Sequence, residues 1–196
     1  MTGEIVGILL AAGQGSRFGS DKLRHPLPDG TPMALAAALN LLPAVDRVIA
    51  VVRPGSPRLA TLLAAAGCET VIAAAAQGGM GHTLAAGVRA SAAAAGWVVT
   101  LADMPFIAPD SHLMVATRLR SGASLLACEF NGRRGHPVGF AREWFSQLVA
   151  LRGDHGGKPI LSAHRQALML CPVDDPGVVW DIDRPEDLKA AVFGAF

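Results

Sequence analysis

Two cations and three glycines crowd one stretch near the start of the chain. The run LLAAGQGSRFGSDKL, residues 9–23, carries Gly13, Gly15, Gly19, Arg17 and Lys22. Backbone N–H groups beside glycine can approach anionic oxygens closely, and the cations add charge and directed donors, so the stretch reads as a phosphate-binding loop. A glycine-rich turn also serves simply to reverse a chain, and it is the pair of cations that favours phosphate. Two familiar phosphate motifs do not fit. A P-loop needs a Lys-Ser or Lys-Thr pair after its second glycine, but Phe18 stands five places after Gly13 and Leu23 follows Lys22. A dinucleotide fingerprint needs G-x-G-x-x-G, and Gly13, Gly15 and Gly19 are one residue too widely spaced. The prolines of RHPLPDGTP forbid the helix such a fingerprint would open. Arg53, after the second apolar run, resembles an NADP contact and keeps a dinucleotide-dependent oxidoreductase as the rival class.

Carboxylates supply the other half of phosphate chemistry. Asp103 follows the apolar run WVVTLA and precedes Met104-Pro105, where it can hold Mg2+ against phosphate oxygens or merely cap a turn. Asp181 and Asp183 lie two apart after VVW, on one face if the strand persists, and Asp183 alternatively caps the helix that Pro185 opens.

The elements that must position these residues alternate. Strand candidates are residues 4–10, 47–52, 70–75, 97–102, 124–130, 136–140, 167–173 and 178–182. The first four are nearly continuous apolar runs, as parallel strands buried on both faces require. Thr31-Pro32 and Ser56-Pro57 each place a capping hydroxyl before a proline at the first helical position. Residues 83–95 and 111–121 read as further helices, with another starting at Arg184-Pro185. This rhythm predicts a three-layer α/β/α fold with a mostly parallel, Rossmann-like sheet, whose ligands sit beyond the carboxyl ends of the strands. Asn131-Gly132 is a turn between two strands and predicts a small antiparallel portion.

Composition narrows the class. Of 196 residues, 51% are hydrophobic and 17% charged, and the net charge is +1, so a soluble globular fold is expected, without nucleic-acid or membrane binding. No run is long enough to span a bilayer, and the acid in MTGEIVG argues against a secretion signal. The expectation is one domain over residues 1–196, cytoplasmic and monomeric. Cys68, Cys128 and Cys171 lie among aliphatic residues at no metal spacing and are read as buried free thiols. His25, His82, His112 and His164 show no ligand spacing and are read as surface residues.

Taken with GGMGHTLAAGV (78–88), LADMPFI (101–107), GRRGHPVGF (132–140), LRGDHGGKPIL (151–161) and DIDRPEDL (181–188), the glycine loop resembles the molybdenum cofactor nucleotidyltransferases, closest to the cytidylyltransferase branch. The resemblance implies the nucleotide-diphospho-sugar transferase type of fold. It also implies Mg2+-dependent transfer of CMP from CTP to the phosphate of molybdopterin cofactor, with release of pyrophosphate. In that reading Leu10, Ala11, Ala12, Gly13, Gly15, Arg17, Lys22, Gly79, Met80, Thr83 and Asp103 meet the nucleotide, with Arg17, Lys22 and Asp103 catalytic. Asp103 and Asp183 hold the metal, while Arg134, His136, Asp154, Lys158 and Asp181 face the acceptor.

Ala-Ala-Gly at residues 11–13 resembles the CTP-using branch, where guanylyltransferases tend to show Ala-Gly-Gly; a Cβ at Ala12 would narrow the approach to the base. Gly157-Lys158 departs from the Ala-Arg more common in the family, and His155 is also unusual there, so the acceptor pocket is less firmly implied than the nucleotide pocket. The alternatives carried forward are a GTP-using enzyme, a transferase with another phosphorylated acceptor, and a non-catalytic carrier of molybdenum cofactor for a molybdenum hydroxylase client.

Overall fold

The computed structural model describes residues 3–13, 18 and 21–192. Its strands are β1 Ile5–Ala11, β2 Arg47–Val52, β3 Glu69–Ile72, β4 Gly96–Leu101, β5 Leu125–Phe130, β6 Arg133–Ala141 and β7 Leu168–Pro172. They form one seven-stranded sheet in the order β3-β2-β1-β4-β6-β5-β7. β1 pairs in parallel with β2 on one side and β4 on the other, so the chain changes direction across the sheet between them and leaves a crevice at their carboxyl ends. Among the described strands, β6 alone runs against its neighbours, β4 and β5. That reversal brings the start of β6, Arg133 to His136, to the edge where the parallel strands finish.

The helices are α1 Met33–Leu41, α2 Pro57–Ala65, α3 Met80–Ala90, α4 Pro109–Arg120, α5 Phe145–Ala150, α6 Lys158–Ala163 and α7 Pro185–Val192. α1 packs on α2 and α4, and α3 packs on α5, which makes the two outer layers. The expected three-layer α/β/α fold with a small antiparallel part is therefore present. Every residue of β1 is buried, and Ile8, Leu9, Ile49, Leu63, Leu84 and Trp97 are among the side chains at its centre. At about 25 cal/mol per Å² such burial is what stabilises the sheet against chain entropy.

Several local expectations need correction. Residues 178–182 are not a strand. Pro176 opens a single 3-10 turn, Pro176–Val179, whose start is held by the Asp175 carboxylate accepting from Gly177 N–H at 3.0 Å. The run is apolar because Val178 and Ile182 are fully buried, not because it pairs in the sheet. The third run is shorter than expected, and among the described residues it is an edge strand of the sheet, with Ile72 65% exposed. Ser56 precedes α2, but its hydroxyl accepts from Arg53 Nε at 3.0 Å instead of capping the helix, and Pro32, not Thr31, occupies the cap position of α1. That bond also occupies the Arg53 side chain that would have mimicked an NADP contact.

The Asn131-Gly132 turn is as expected: both residues have positive φ, 49° and 74°, which a tight hairpin between right-twisted strands needs. All three cysteines are free and buried. Burial pushes the Cys68 thiol up to about 11 and Cys128 to about 12, so both are protonated and unreactive. Among the described residues, no helix is long and apolar enough to cross a membrane.

Candidate functional site

Ala102 N–H donates to the Leu10 carbonyl at 3.1 Å, extending the β1–β4 pairing by one residue and bringing Asp103 to the mouth of the crevice beside the glycine loop. A second connection comes from the far end of the chain. Ile182 N–H donates to the Asp103 carbonyl at 2.9 Å, which seats Asp183 next to Asp103. Phe18, Leu27, Met33, Ile182 and Leu188 form a small apolar cluster that packs the end of the glycine loop against this same segment.

Lys22 lies where those pieces meet. It opens the 3-10 turn Lys22–Arg24, and its side chain is only 7% exposed. Its Nζ donates to Asp103 Oδ2 at 2.8 Å and to Asp183 Oδ1 at 3.1 Å. Burial alone would pull the Lys22 pKa down, but the Asp103 and Asp183 carboxylates outweigh it and hold the ammonium above its usual range. Ahead of α7 the Asp187 carboxylate accepts from the N–H groups of Asp183 and Arg184 at 2.8 and 2.7 Å. Asp181 is nearby, its carboxyl pushed up by burial and by the negative charges of Asp183 and Asp103.

Two cavities open along the crevice. One, of about 570 Å³, is lined by Ala12, Gly13, Gly79, Thr83 and Asp103 together with Ala76 and Gln77. The other, of about 380 Å³, has Arg134, His136, Lys158 and His155 on its polar side, and Leu84, Val99, Val138, Phe140 and Leu161 as an apolar floor. Leu10, Met80, Leu101 and Asp154 line both, so the two are lobes of one site.

The wall between the lobes depends on glycine. Gly79 precedes α3 at φ +104°, and a Cβ there would stand 2.1 Å from Asp154 Oδ1. A Cβ on Gly81 would meet the Arg152 carbonyl at 2.7 Å, and Gly81 N–H donates to the Gly153 carbonyl at 2.7 Å. Segments 78–83 and 151–157 are therefore in backbone contact. His82 Nδ1 sits between them, 2.8 Å from the Gly78 carbonyl and 3.3 Å from Gly153 N.

His136 Nδ1 lies 3.3 Å from the Val99 carbonyl, and donating there leaves Nε2 as an acceptor. Burial pushes its pKa down, against the Val99 carbonyl and the Asp103 charge, so the imidazole is neutral. The Asp103 loop is fixed from behind. Asp175 Oδ2 accepts from Ala108 N–H at 2.9 Å and from Ser111 Oγ at 2.6 Å, and Asn40 Nδ2 donates to the Pro105 carbonyl at 3.0 Å.

Most residues singled out in the sequence meet here, from six separate segments. Ala11 is buried and lines neither cavity, so it can reach a ligand only through its backbone. Thr83 is 3% exposed and its hydroxyl already donates to the Gly79 carbonyl at 3.3 Å. Gly15 and Arg17 lie outside the described residues. Sequence reasoning missed Gln77, although it adjoins Gly78-Gly79. It also missed the floor of Leu84, Val99, Val138, Phe140 and Leu161, whose apolar pattern is the same as that of any core position. His112 is not a surface residue: it is 1% exposed, its Nδ1 3.2 Å from the Ala108 carbonyl and its Nε2 3.4 Å from Thr100 Oγ1.

Two carboxylates converging on one cation at the edge of a lobe suit Mg2+, which binds proteins through one or two carboxylates and takes its other ligands from phosphate and water. Among the described residues no group of three or more His, Cys, Asp or Glu side chains is arranged to hold a metal ion by itself.

Residues 7–168 match the family model described as the MobA-like NTP transferase domain. The Purine catabolism protein PucB of Bacillus subtilis (strain 168) is 30% identical over 193 residues, covering 93% of this chain and 93% of that protein. Among solved structures, Rv0371c from Mycobacterium tuberculosis H37Rv matches with a TM-score of 0.80 at 26% identity, over 96% of this chain and 97% of that one. Its complex with manganese matches with a TM-score of 0.76 at 24% identity, over 96% and 97%. Molybdopterin-guanine dinucleotide biosynthesis protein A from Archaeoglobus fulgidus shares the fold, with a TM-score of 0.69 at 19% identity over 97% of this chain and 100% of that one.

Proposed function

The chain belongs to the MobA-like NTP transferase family, and from that premise we propose that it transfers CMP from CTP to the terminal phosphate of molybdopterin cofactor, releasing pyrophosphate. The observation that carries this reading is the pair of joined lobes, one bordered by the glycine loop and Asp103, the other by Arg134, His136 and Lys158 over an apolar floor. A triphosphate in the first lobe and a phosphorylated heterocycle in the second would meet at Leu10, Met80, Leu101 and Asp154.

The reaction needs no covalent enzyme intermediate. An oxygen of the acceptor phosphate forms a bond to the α-phosphorus of CTP, the bond to the β-phosphate oxygen breaks, and pyrophosphate leaves with that electron pair. Catalysis of this kind is positioning plus neutralisation of charge. Gly13 and the backbone around Gly79 shape the nucleotide side, and Lys22 supplies a cation to the phosphates. Arg134 and Lys158 hold the acceptor phosphate, with neutral His136 Nε2 accepting from the heterocycle. Asp103 and Asp183 would hold Mg2+, which when bound neutralises charge on the phosphate oxygens. The manganese complex of Rv0371c supports a divalent metal in this role.

CTP is favoured over GTP by Ala12, which is 9% exposed and presents a Cβ to the nucleotide lobe. The test is pyrophosphate release with Mg2+, molybdenum cofactor and each NTP in turn. Release with CTP alone supports the reading. Equal release with GTP would overturn the base assignment, and binding of cofactor without release from any NTP would favour a carrier for a molybdenum hydroxylase.

A further inference from the structure

We infer that Lys22 is a metal gate: without nucleotide its ammonium occupies the place of the divalent cation between Asp103 and Asp183, and a triphosphate draws it away. The inference rests on the proposed metal role of those two carboxylates. It starts from an unusual position for a lysine. The side chain is almost wholly withdrawn from solvent, a costly state for an ammonium unless it is closely paired. Here it is paired twice, at 2.8 Å and 3.1 Å, with side chains that come from segments 81 and 161 residues away in sequence.

Geometry makes the two cations competitors. Lys22 Nζ already holds Asp103 Oδ2 and Asp183 Oδ1. A divalent cation on the same pair of carboxylates would sit within a few ångströms of the ammonium, where like charges in a partly buried crevice repel strongly. One must leave, and lysine can. Its charge rides on a flexible four-carbon stem, while the carboxylates are fixed by the Ile182–Asp103 backbone hydrogen bond and the Asp187 carboxylate beneath residue 183.

What would attract Lys22 elsewhere is new negative charge in the adjoining glycine-loop lobe. A triphosphate arriving there offers the ammonium a second anionic partner and opens the carboxylates to metal at the same moment. Metal and nucleotide then bind with positive coupling, each raising the affinity of the other by the same factor. The gate also keeps divalent cations from settling on the carboxylates when no substrate is present.

The sign of the effect separates a gate from a lysine that only binds phosphate. Free Mn2+ is counted by electron paramagnetic resonance during titration of nucleotide-free protein. Lys22→Met should bind Mn2+ at least tenfold more tightly than wild type, and Mn2+ should raise its melting temperature more. Lys22→Gln, a second neutral variant for the case that the first does not fold, should show the same gain, and Lys22→Arg should stay as weak as wild type. Adding Asp103→Asn to Lys22→Met should erase the gain, which locates the ion on that carboxylate.

Neutral variants with unchanged or weaker Mn2+ affinity would overturn the gate. The two readings fail separately. Wild type that releases pyrophosphate from CTP, with no Mn2+ gain in the neutral variants, loses the gate and keeps the transferase. Wild type that releases none from any NTP, with the gain present, keeps the gate and loses the transferase.

Discussion

Asp103 is the residue at which the glycine-loop lobe and the ion-pair cluster meet, because it lies two residues beyond β4 at the sheet's change of direction and accepts from Lys22. Asp103→Asn keeps the shape but removes the negative charge and replaces one acceptor oxygen with an N–H donor. Turnover should fall on the order of 10³-fold, comparable to removing a preorganised charge stabiliser elsewhere. Steady-state pyrophosphate release measures this, and a near-normal rate with an unchanged circular dichroism spectrum would take Asp103 out of the chemistry. Ala12 carries the base preference. Ala12→Gly should move the GTP-to-CTP ratio of kcat/KM upward by about tenfold or more, the scale of one methyl in a fitted pocket. An unchanged ratio would mean that the base is read elsewhere, with the Gln77–Thr83 wall as the next place to look.

At the scale of elements, the site depends on loops that are tied to one another more than to the sheet. Asp175 binds the start of α4 through Ala108 N–H and Ser111 Oγ, and binds its own turn through Gly177 N–H. Asp175→Ala leaves these buried donors unpaired and should cost about 3 kcal/mol, read as a lower urea midpoint at unchanged slope. Asp175→Asn, which keeps an acceptor, should recover part of that loss. A midpoint shift below about 0.5 kcal/mol would show that the 103–108 loop is held by other contacts.

Over the whole molecule, the pH dependence of stability has a recognisable contributor in His112. Burial, outweighing the Ala108 carbonyl and the Asp175 charge, lowers its pKa from 6.5 to about 4. Between those values the unfolded chain binds a proton that the folded one does not, so the contribution is complete above pH 6.5 and is lost as pH falls toward 4. The shift corresponds to roughly 3 kcal/mol. Denaturant midpoints measured from pH 7 to pH 4.5 should therefore fall more steeply for wild type than for His112→Gln. Parallel curves would show that His112 titrates normally in the folded state.

The sequence by itself determined the fold class, and with it the edge of the sheet to which the proposed site belongs. Buried parallel strands require unbroken apolar runs, and prolines and Asn-Gly punctuate a chain locally, so β1, β2, β4 and the β5–β6 hairpin were legible. Asp103 and Asp183 stood out as candidates as well, since charged residues at the ends of apolar runs have few structural uses, and the structure brings both to Lys22. Tertiary structure decided what no local pattern carries. An apolar run such as residues 178–182 can be buried in a sheet or beneath one, and only its packing on β6 and the Asp103 loop made it a turn. His112 looked like any surface histidine until α4 pressed it onto β4. The pairing of Lys22 with both Asp103 and Asp183 joins three distant segments through backbone hydrogen bonds and a small apolar cluster. Such long-range contacts arise from how layers stack, and spacing along the chain contains no measure of that.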